Sequence, residues 1–360
     1  MKLESRKYRV ITSVFAVLIG LVSVGYAEEI RLSPQGYWEI KQASKTFNCP
    51  SNETLASFVR EMKGKSVFSV EIEDASRVTE AGLTVLAELP IRELHITHGT
   101  FEGKCLGRFQ ELCVLQLWEC TKLTDDGINA VAQIPTLVDL TIGGTPGITS
   151  VRFEKIAQMR QLRNLSLYLE QLEANWFLSS NLEKLSGLEI LVIAGHFEND
   201  IFEAVSRFPN LKHLSVSQWT HVEPMMMFMT LEPEMPSSVD MLRTTVWDWE
   251  EIAKSLGKLR HLESLELIGG FTDNEENSFF PANFAKLKCL VISEMNVSKA
   301  FLDKMYENMP LLQVLNLPET LQNATILQKF MKRNPVLDIC TSGKNAIKWA
   351  MEEKTEEEME

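Results

Sequence analysis

The chain has 360 residues, of which 45% are hydrophobic and 24% charged, enough apolar material for a sizeable core and too much for a disordered chain. Its 18 glycines and 13 prolines exclude a collagenous or low-complexity polymer, and its 6 cysteines are too sparse for a disulfide scaffold. A formal charge of -13 argues against nucleic acid as a partner, because binding a phosphate backbone begins with a basic stripe.

In chain order, residues 1–27 read as a signal peptide. Lys2, Arg6, Lys7 and Arg9 precede an apolar run from Val10 to Val24, and Gly25-Tyr26-Ala27 places small residues where a signal peptidase reads them. Cleavage after Ala27 is the expectation. The alternative is an uncleaved anchor, but the run is shorter than the about 20 residues a bilayer span needs, and Glu28-Glu29 follows it directly. Cleavage leaves no stable membrane span, a secreted or periplasmic location, and a body more acidic still, since the leader carries four cations against Glu4. Residues 28–66 supply an N-terminal cap: Asn52–Met62 reads as an amphipathic helix, and Tyr37 and Trp38 are placed to cover the open end of the repeat array that begins at Val67.

From Val67 the pattern apolar-x-x-apolar-x-apolar recurs. Copies start at Val67, Ile91, Leu112, Leu137, Leu162, Leu188, Leu211, Leu262, Leu287 and Leu312, with degenerate ones near Met241–Val246 and Asn334–Ile339. The spacers repeat as well: Thr79 to Pro90 aligns with Thr124 to Pro135 and, more loosely, with Ser298 to Pro310, each a helix with a hydroxyl at its start and a proline at its end. Strand and helix thus alternate about twelve times. Their period matches the 20 to 29 or so residues of leucine-rich repeats.

On these residues the chain resembles the leucine-rich-repeat family, in its ribonuclease-inhibitor-like branch with a helix in each repeat. The resemblance implies an α/β solenoid over residues 67–342, a horseshoe with a concave parallel sheet, convex helices and a leucine core. The family places an Asn or Cys three residues after the third apolar position. Leu112, Leu115, Leu117 and Cys120 fit this in full, whereas Glu170, His196, Trp219 and Gly270 stand there in other copies, so hydrogen bonding should be irregular at those places. Residues 343–360 complete the chain with a lid at Ala346-Ile347-Lys348-Trp349-Ala350 and an acidic solvated tail.

Strand side chains alternate, so the third, fifth and seventh positions of each copy face the concave side. The seventh-position column holds Trp118, Tyr168 and Trp247, with Trp219 displaced two places along its repeat, and Gln116, Asn164, Ser166, His213, Ser215 and Arg243 lie around them. Aromatics beside an arginine and small polar groups suit a protein or glycan ligand. Partner-binding candidates are therefore Gln116, Trp118, Asn164, Tyr168, His213, Trp219, Arg243 and Trp247, with Ile190, Val192 and Ala194 as an apolar centre. Alternatively these rings pack against one another or under a loop.

No catalytic motif occurs: there is no Gly-x-Ser-x-Gly, His-Glu-x-x-His, phosphate loop or Cys-x-x-Cys, so neither an enzyme nor a cofactor is expected. His95 and His98 beside Glu71 and Glu73 are the nearest approach to a metal site, and more commonly such residues form a hydrogen-bonded pair. Met225–Met229 suits either copper or an irregular core, with the core favoured. The six cysteines fall in separate turns or columns, so no disulfide framework is expected. The reading is a non-catalytic recognition scaffold, secreted or periplasmic, that binds a protein or envelope polymer on its concave face. Two alternatives stand beside it: an intracellular substrate adaptor resembling the F-box subunits of ubiquitin ligases, and a purely structural envelope component.

Overall fold

The structure is a computed structural model that describes residues 44–65, 67–145, 150–171, 182–197, 200–218, 247–272, 280–296, 299–316, 325–334 and 338–340. The leader, Tyr37 and Trp38, Trp219, Met225–Met229, Arg243, the 346–350 lid and the acidic tail lie outside the described residues. Two compact units divide the chain. One is Ser44–Leu312; the described part of the other lies within residues 313–340 and contains strand Val314–Asn316 paired in parallel with strand Asp338–Cys340, with helix Thr325–Arg333 between them in sequence.

Within Ser44–Leu312 the fold begins one strand earlier than the repeat pattern does. Strand β1 (Ser44–Phe47) pairs in parallel with β2 (Ser69–Ile72), joining the cap to the sheet. Between them, helix α1 (Asn52–Met62) is set by Ser51, whose hydroxyl accepts the Thr54 N–H at 3.3 Å, while the Ser51 N–H donates back to Thr54 Oγ1 at 3.4 Å. This reciprocal cap satisfies amides that the first helical turn leaves unpaired, and Leu55 and Val59, four apart, are buried on one face.

The order then repeats. Helix α2 (Glu80–Leu86) leads to β3 (Glu93–Thr97); a short 3₁₀ turn, Leu106–Arg108, leads to β4 (Val114–Trp118); and α3 (Asp125–Ala132) leads to β5 (Asp139–Gly143). Helix α4 (Ser150–Ile156) precedes β6 (Asn164–Gln171), a 3₁₀ helix at Leu182–Leu185 precedes β7 (Ile190–His196), and α5 (Asp200–Val205) precedes β8 (His213–Gln218). Next come β9 (Trp247–Asp248), α6 (Trp249–Leu256), β10 (Ser264–Thr272), a 3₁₀ helix at Ala282–Lys286, β11 (Cys289–Asn296) and α7 (Lys299–Asn308). Three spacers therefore carry 3₁₀ turns in place of the expected α-helix. In the spacer before β4 the backbone of Gly107 lies so close to Ala130 O that an added Cβ would stand 2.9 Å from it, so glycine lets this turn pack closely on the next.

Every pairing among the described strands is parallel and, through the core positions, in register, so Leu94, Leu115, Leu140, Leu165, Leu191, Leu214, Leu265 and Leu290 line up strand to strand as one buried row. One carbonyl per turn closes the stack. Cys113 O accepts the N–H groups of both Val138 and Asp139, at 2.9 and 3.0 Å, and the carbonyls of Phe68, Arg92, Val138, Arg163, Glu189, Lys212 and Glu263 do the same for the turn after theirs. Side chains clamp the helix-side edge: Thr136 Oγ1 donates to Leu112 O at 2.7 Å, and Asn283 Nδ2 donates to Leu259 O at 2.6 Å.

The degenerate copy near Met241 does not insert a strand between its neighbours. His213–Ser217 of β8 pairs directly with Ser264–Ile268 of β10, and residues 219–246 lie outside the described residues. Strand β9 joins the far end of β10, where Trp247 pairs with Phe271, and leads into Trp249, a buried ring packed on Phe280, Phe284 and Phe301 with centroids 5.4, 6.1 and 5.0 Å away. The irregularities expected at Glu170 and Gly270 are present: the register shifts between Leu169 and Gln171 and between Ile268 and Phe271. Cys120 is fully buried, with its thiol directed to Trp118 O at 3.7 Å.

The start of α3 behaves as its sequence predicts, with Thr124 Oγ1 accepting the Gly127 N–H at 3.2 Å, whereas Thr79 leaves its helix uncapped and accepts from Asn52 Nδ2 at 2.8 Å instead. Ser298 lies outside the described residues. Gly127 sits against the backbone of the preceding turn: a Cβ there would collide with Glu102 O and stand 3.0 Å from Gly103 Cα. Gly127→Ala is expected to lower stability by about 2–4 kcal/mol through overpacking against rigid backbone, and Thr124→Ala by about 1 kcal/mol through loss of the cap. Thermal melts of the two variants check this, and a neutral Gly127→Ala would contradict the packing described.

Candidate functional site

The face of the sheet turned away from the leucine core presents three rows. Across β2 to β6 the first row reads Ser69, Glu93, Val114, Asp139, Asn164 and the second Glu71, His95, Gln116, Thr141, Ser166, while the third starts at β3 with Thr97, Trp118, Gly143, Tyr168. These are the alternate positions left over once the other side chains are buried, and they carry the candidate site.

The third row forms an aromatic shelf. Trp118 and Tyr168 stand on strands separated by β5, yet their ring centroids lie 4.8 Å apart with planes at 40°. Gly143 makes this possible. An added Cβ at Gly143 would collide with the six-membered ring of Trp118, so the indole lies across the glycine to reach the tyrosine. Trp118 stays partly exposed while Tyr168 is buried, so the two rings do pack together and one of them still meets solvent. Burial also pushes the Tyr168 hydroxyl well above its usual titration range, with Glu266 and Asp139 adding to the effect.

Polar groups fill the other two rows. Asp139 is only 8% exposed and accepts one hydrogen bond, from Asn164 Nδ2 at 2.9 Å, and burial pushes its carboxyl up to about 6. Burial likewise raises Glu93, with Asp139 contributing by like-charge repulsion. Glu266, at 4% exposure, accepts from Ser215 Oγ at 2.6 Å, and burial raises it as well. Thr141 Oγ1 and Asn164 Oδ1 are buried atoms without a hydrogen-bond partner. In the second row Glu71 is exposed and His95 and Gln116 are partly so, whereas Thr141, Ser166, Val192, Ser215 and Glu266 are buried; in the other rows Glu93, Trp118, Asn164 and His213 are partly exposed and Asp139 is buried.

Of the residues expected from the sequence, Gln116 and Trp118 on β4 and Asn164 and Tyr168 on β6 lie on the same face, one strand apart across β5. His213 lies in the first row two strands beyond Asn164, and burial lowers its imidazole. Ile190, Val192 and Ala194 fill the strand between and are buried, so they form a closed wall where an open apolar centre was expected. Trp247 is not in the column of Trp118 and Tyr168. It pairs at Phe271, three residues past the third-row position Ile268, because its repeat adds no strand of its own. Trp219 and Arg243 lie outside the described residues. The sequence reading passed over Glu93, Asp139, Thr141 and Gly143; a glycine in register between two aromatics was the signal that could have identified the shelf.

His95 does neighbour Glu71, but His98 adopts φ 56 in the turn and pairs through Nδ1 with Glu119 Oε2 at 2.7 Å. Among the described residues no group of three potential ligands converges. Cys49, Cys105, Cys113, Cys120 and Cys289 are free, and burial pushes the thiols of Cys120 and Cys289 up to about 12 and 11, the opposite of an activated nucleophile. No helix among the described residues is long and apolar enough to cross a membrane.

No protein-family model matches the sequence, and no curated protein matches it. Among solved structures, the chain is similar to a leucine-rich-repeat protein of Leptospira interrogans, with 16% identity and a TM-score of 0.43 over 78% of this chain and 62% of that one. It is also similar to an internalin of Listeria monocytogenes, with 15% identity and a TM-score of 0.38 over 70% of this chain and 66% of that one. The chain spans less than two thirds of the length of each.

Asp139 gives the site a pH signature. Its carboxyl titrates near 6 in the folded protein, above the usual 3.8, so the native state binds the proton more tightly and stability falls as pH rises from about 4 through 6. Asp139→Asn is expected to remove this slope and to raise stability at pH 7.5 by about 1–3 kcal/mol. Melting temperatures of both forms between pH 4.5 and 7.5 check it, and parallel slopes would contradict the assignment. Gly143→Ala is expected to lift the indole off Tyr168 and change the Trp118 emission, read as the difference spectrum against Trp118→Phe in each background.

Proposed function

We propose that the chain is a non-catalytic recognition scaffold that binds a partner protein on the outward face of its sheet. The shelf of Trp118 across Gly143 onto Tyr168 carries this reading. A partly exposed indole, fixed against Tyr168 on a parallel sheet with Gln116 two residues before it on the same strand, has the makings of an interface anchor: a large rigid ring that loses little conformational freedom on binding. The repeat architecture supports a scaffold, since a stack of turns spreads side chains over an extended surface without a single deep cleft. The α-helices that alternate with the strands support a place in the ribonuclease-inhibitor-like branch, with the three 3₁₀ spacers as departures from it.

The protein acts outside the cytoplasm, on the strength of the leader-like residues 1–27. N-terminal sequencing of the protein recovered from its source is expected to begin at Glu28; an intact Met1 would overturn cleavage, and recovery of the protein in the cytoplasmic fraction would overturn the location. For the binding face, affinity capture from an extracytoplasmic extract is compared between the full chain and Trp118→Ser. Loss of a partner by a variant that melts as the parent does is the expected result. Retention of the same partner at the same yield would remove the shelf from the interface.

A further inference from the structure

We propose that the segment recognised by this face is cationic and bears arginine, so that a guanidinium lies against Trp118 with its N–H groups directed to the carboxylates and unpaired acceptors of β3 to β6. The inference rests on the recognition reading above and narrows it to one partner chemistry.

Charge segregation is the first support. The chain holds 36 Lys and Arg, yet none occurs in β2 through β8, β10 or β11. The basic groups flank the strands instead, where Lys212 pairs with Glu189 at 2.8 Å and Lys288 with Glu263 at 2.6 Å. The outward rows of these strands therefore carry Glu71, Glu93, Asp139 and Glu266 and, among the described residues, no Lys or Arg of their own, and burial disfavours the cationic form of His95 and His213. Carboxylates gathered on one face with no counter-charge produce a negative potential that draws in a cation.

Unmet hydrogen bonding is the second, independent support. Asn164 donates its Nδ2 to Asp139, which leaves the buried Oδ1 as an acceptor without a donor. Thr141 is 2% exposed and belongs to the row between Gln116 and Ser166, on the side opposite the core residues Leu140 and Ile142, and its hydroxyl is unpartnered too. A buried polar group left unpaired lowers stability, and a donor that reaches it restores the loss. A ligand rich in N–H groups would satisfy them, and a carboxylate or phosphate ligand would not.

The shelf selects between cations. A guanidinium is planar, stacks on an indole face and offers five donors, whereas an ammonium offers three from one point. Trp118 is the partly exposed ring, and the openness of β2 to β4 leaves an approach from that side toward Asp139 and Thr141.

The test uses the full chain and a fluorophore-labelled tetra-arginine amide, with tetra-citrulline as the uncharged counterpart and a neutral tetrasaccharide as competitor. Tetra-arginine is expected to bind, to weaken at least tenfold in Glu93→Gln/Asp139→Asn, to weaken in Trp118→Ser, and to be unaffected by Asp125→Asn/Asp126→Asn on the helix side. Equal binding of tetra-citrulline, insensitivity to the Glu93/Asp139 variant, or displacement by the tetrasaccharide would overturn the inference, the last in favour of a glycan. If tetra-arginine fails while a captured partner still depends on Trp118, the arginine assignment falls and the recognition reading stands. If neither depends on Trp118, both fall.

Discussion

Everything in the described solenoid depends on one constraint, that each turn pairs in parallel and in register with the next. A single carbonyl per turn, such as Cys113 O, takes two amides from the following strand, and that contact fixes the stagger of the two turns. With the stagger fixed, side-chain alternation does the rest. Leu115, Leu140 and Leu165 fall in one buried row while Gln116, Thr141 and Ser166 fall in another on the opposite face. A slip by one residue would exchange the two faces, so the leucine core holds the register and the register holds the site.

The same constraint explains why the site is built from residues far apart in sequence. Trp118, Gly143 and Tyr168 share a row because each occupies the same place in its repeat. The polar groups beside them are less favourable to the fold. Asp139 and Glu266 are buried with raised carboxyls, and Thr141 and Asn164 leave polar atoms unpaired. An apolar face would be more stable, and departures of this kind from stability are what binding surfaces show when their shape and charge are set for a partner.

The solenoid and its leucine rows were legible because they depend on a period, and a period survives substitution: the repeat starts alone placed β2 to β8, β10 and β11. The cap strand Ser44–Phe47 escaped notice because it lacks the repeat's apolar spacing, taking its register from backbone pairing to β2. Trp247 falls outside the third row because its short strand β9 joins the far end of β10, while β8 pairs with β10 directly along the rows, and no local pattern in the sequence distinguishes the two placements. Within the site, Gln116, Trp118, Asn164 and Tyr168 followed from position alone. Burial of Ile190 and Val192 and the pairing of Asp139 with Asn164 depend on cross-strand packing, which the sequence does not encode in any local pattern.

The central claim is that the outward rows, rather than the helices, meet the partner. Site-specific photocrosslinking tests it most directly, with a benzophenone side chain placed at Gln116 in the second row or at Asn129 on α3, in the presence of the extracytoplasmic extract. The account predicts an adduct of defined mass from Gln116 and none from Asn129. Adducts from Asn129 alone, or the same adducts from both positions, would contradict it.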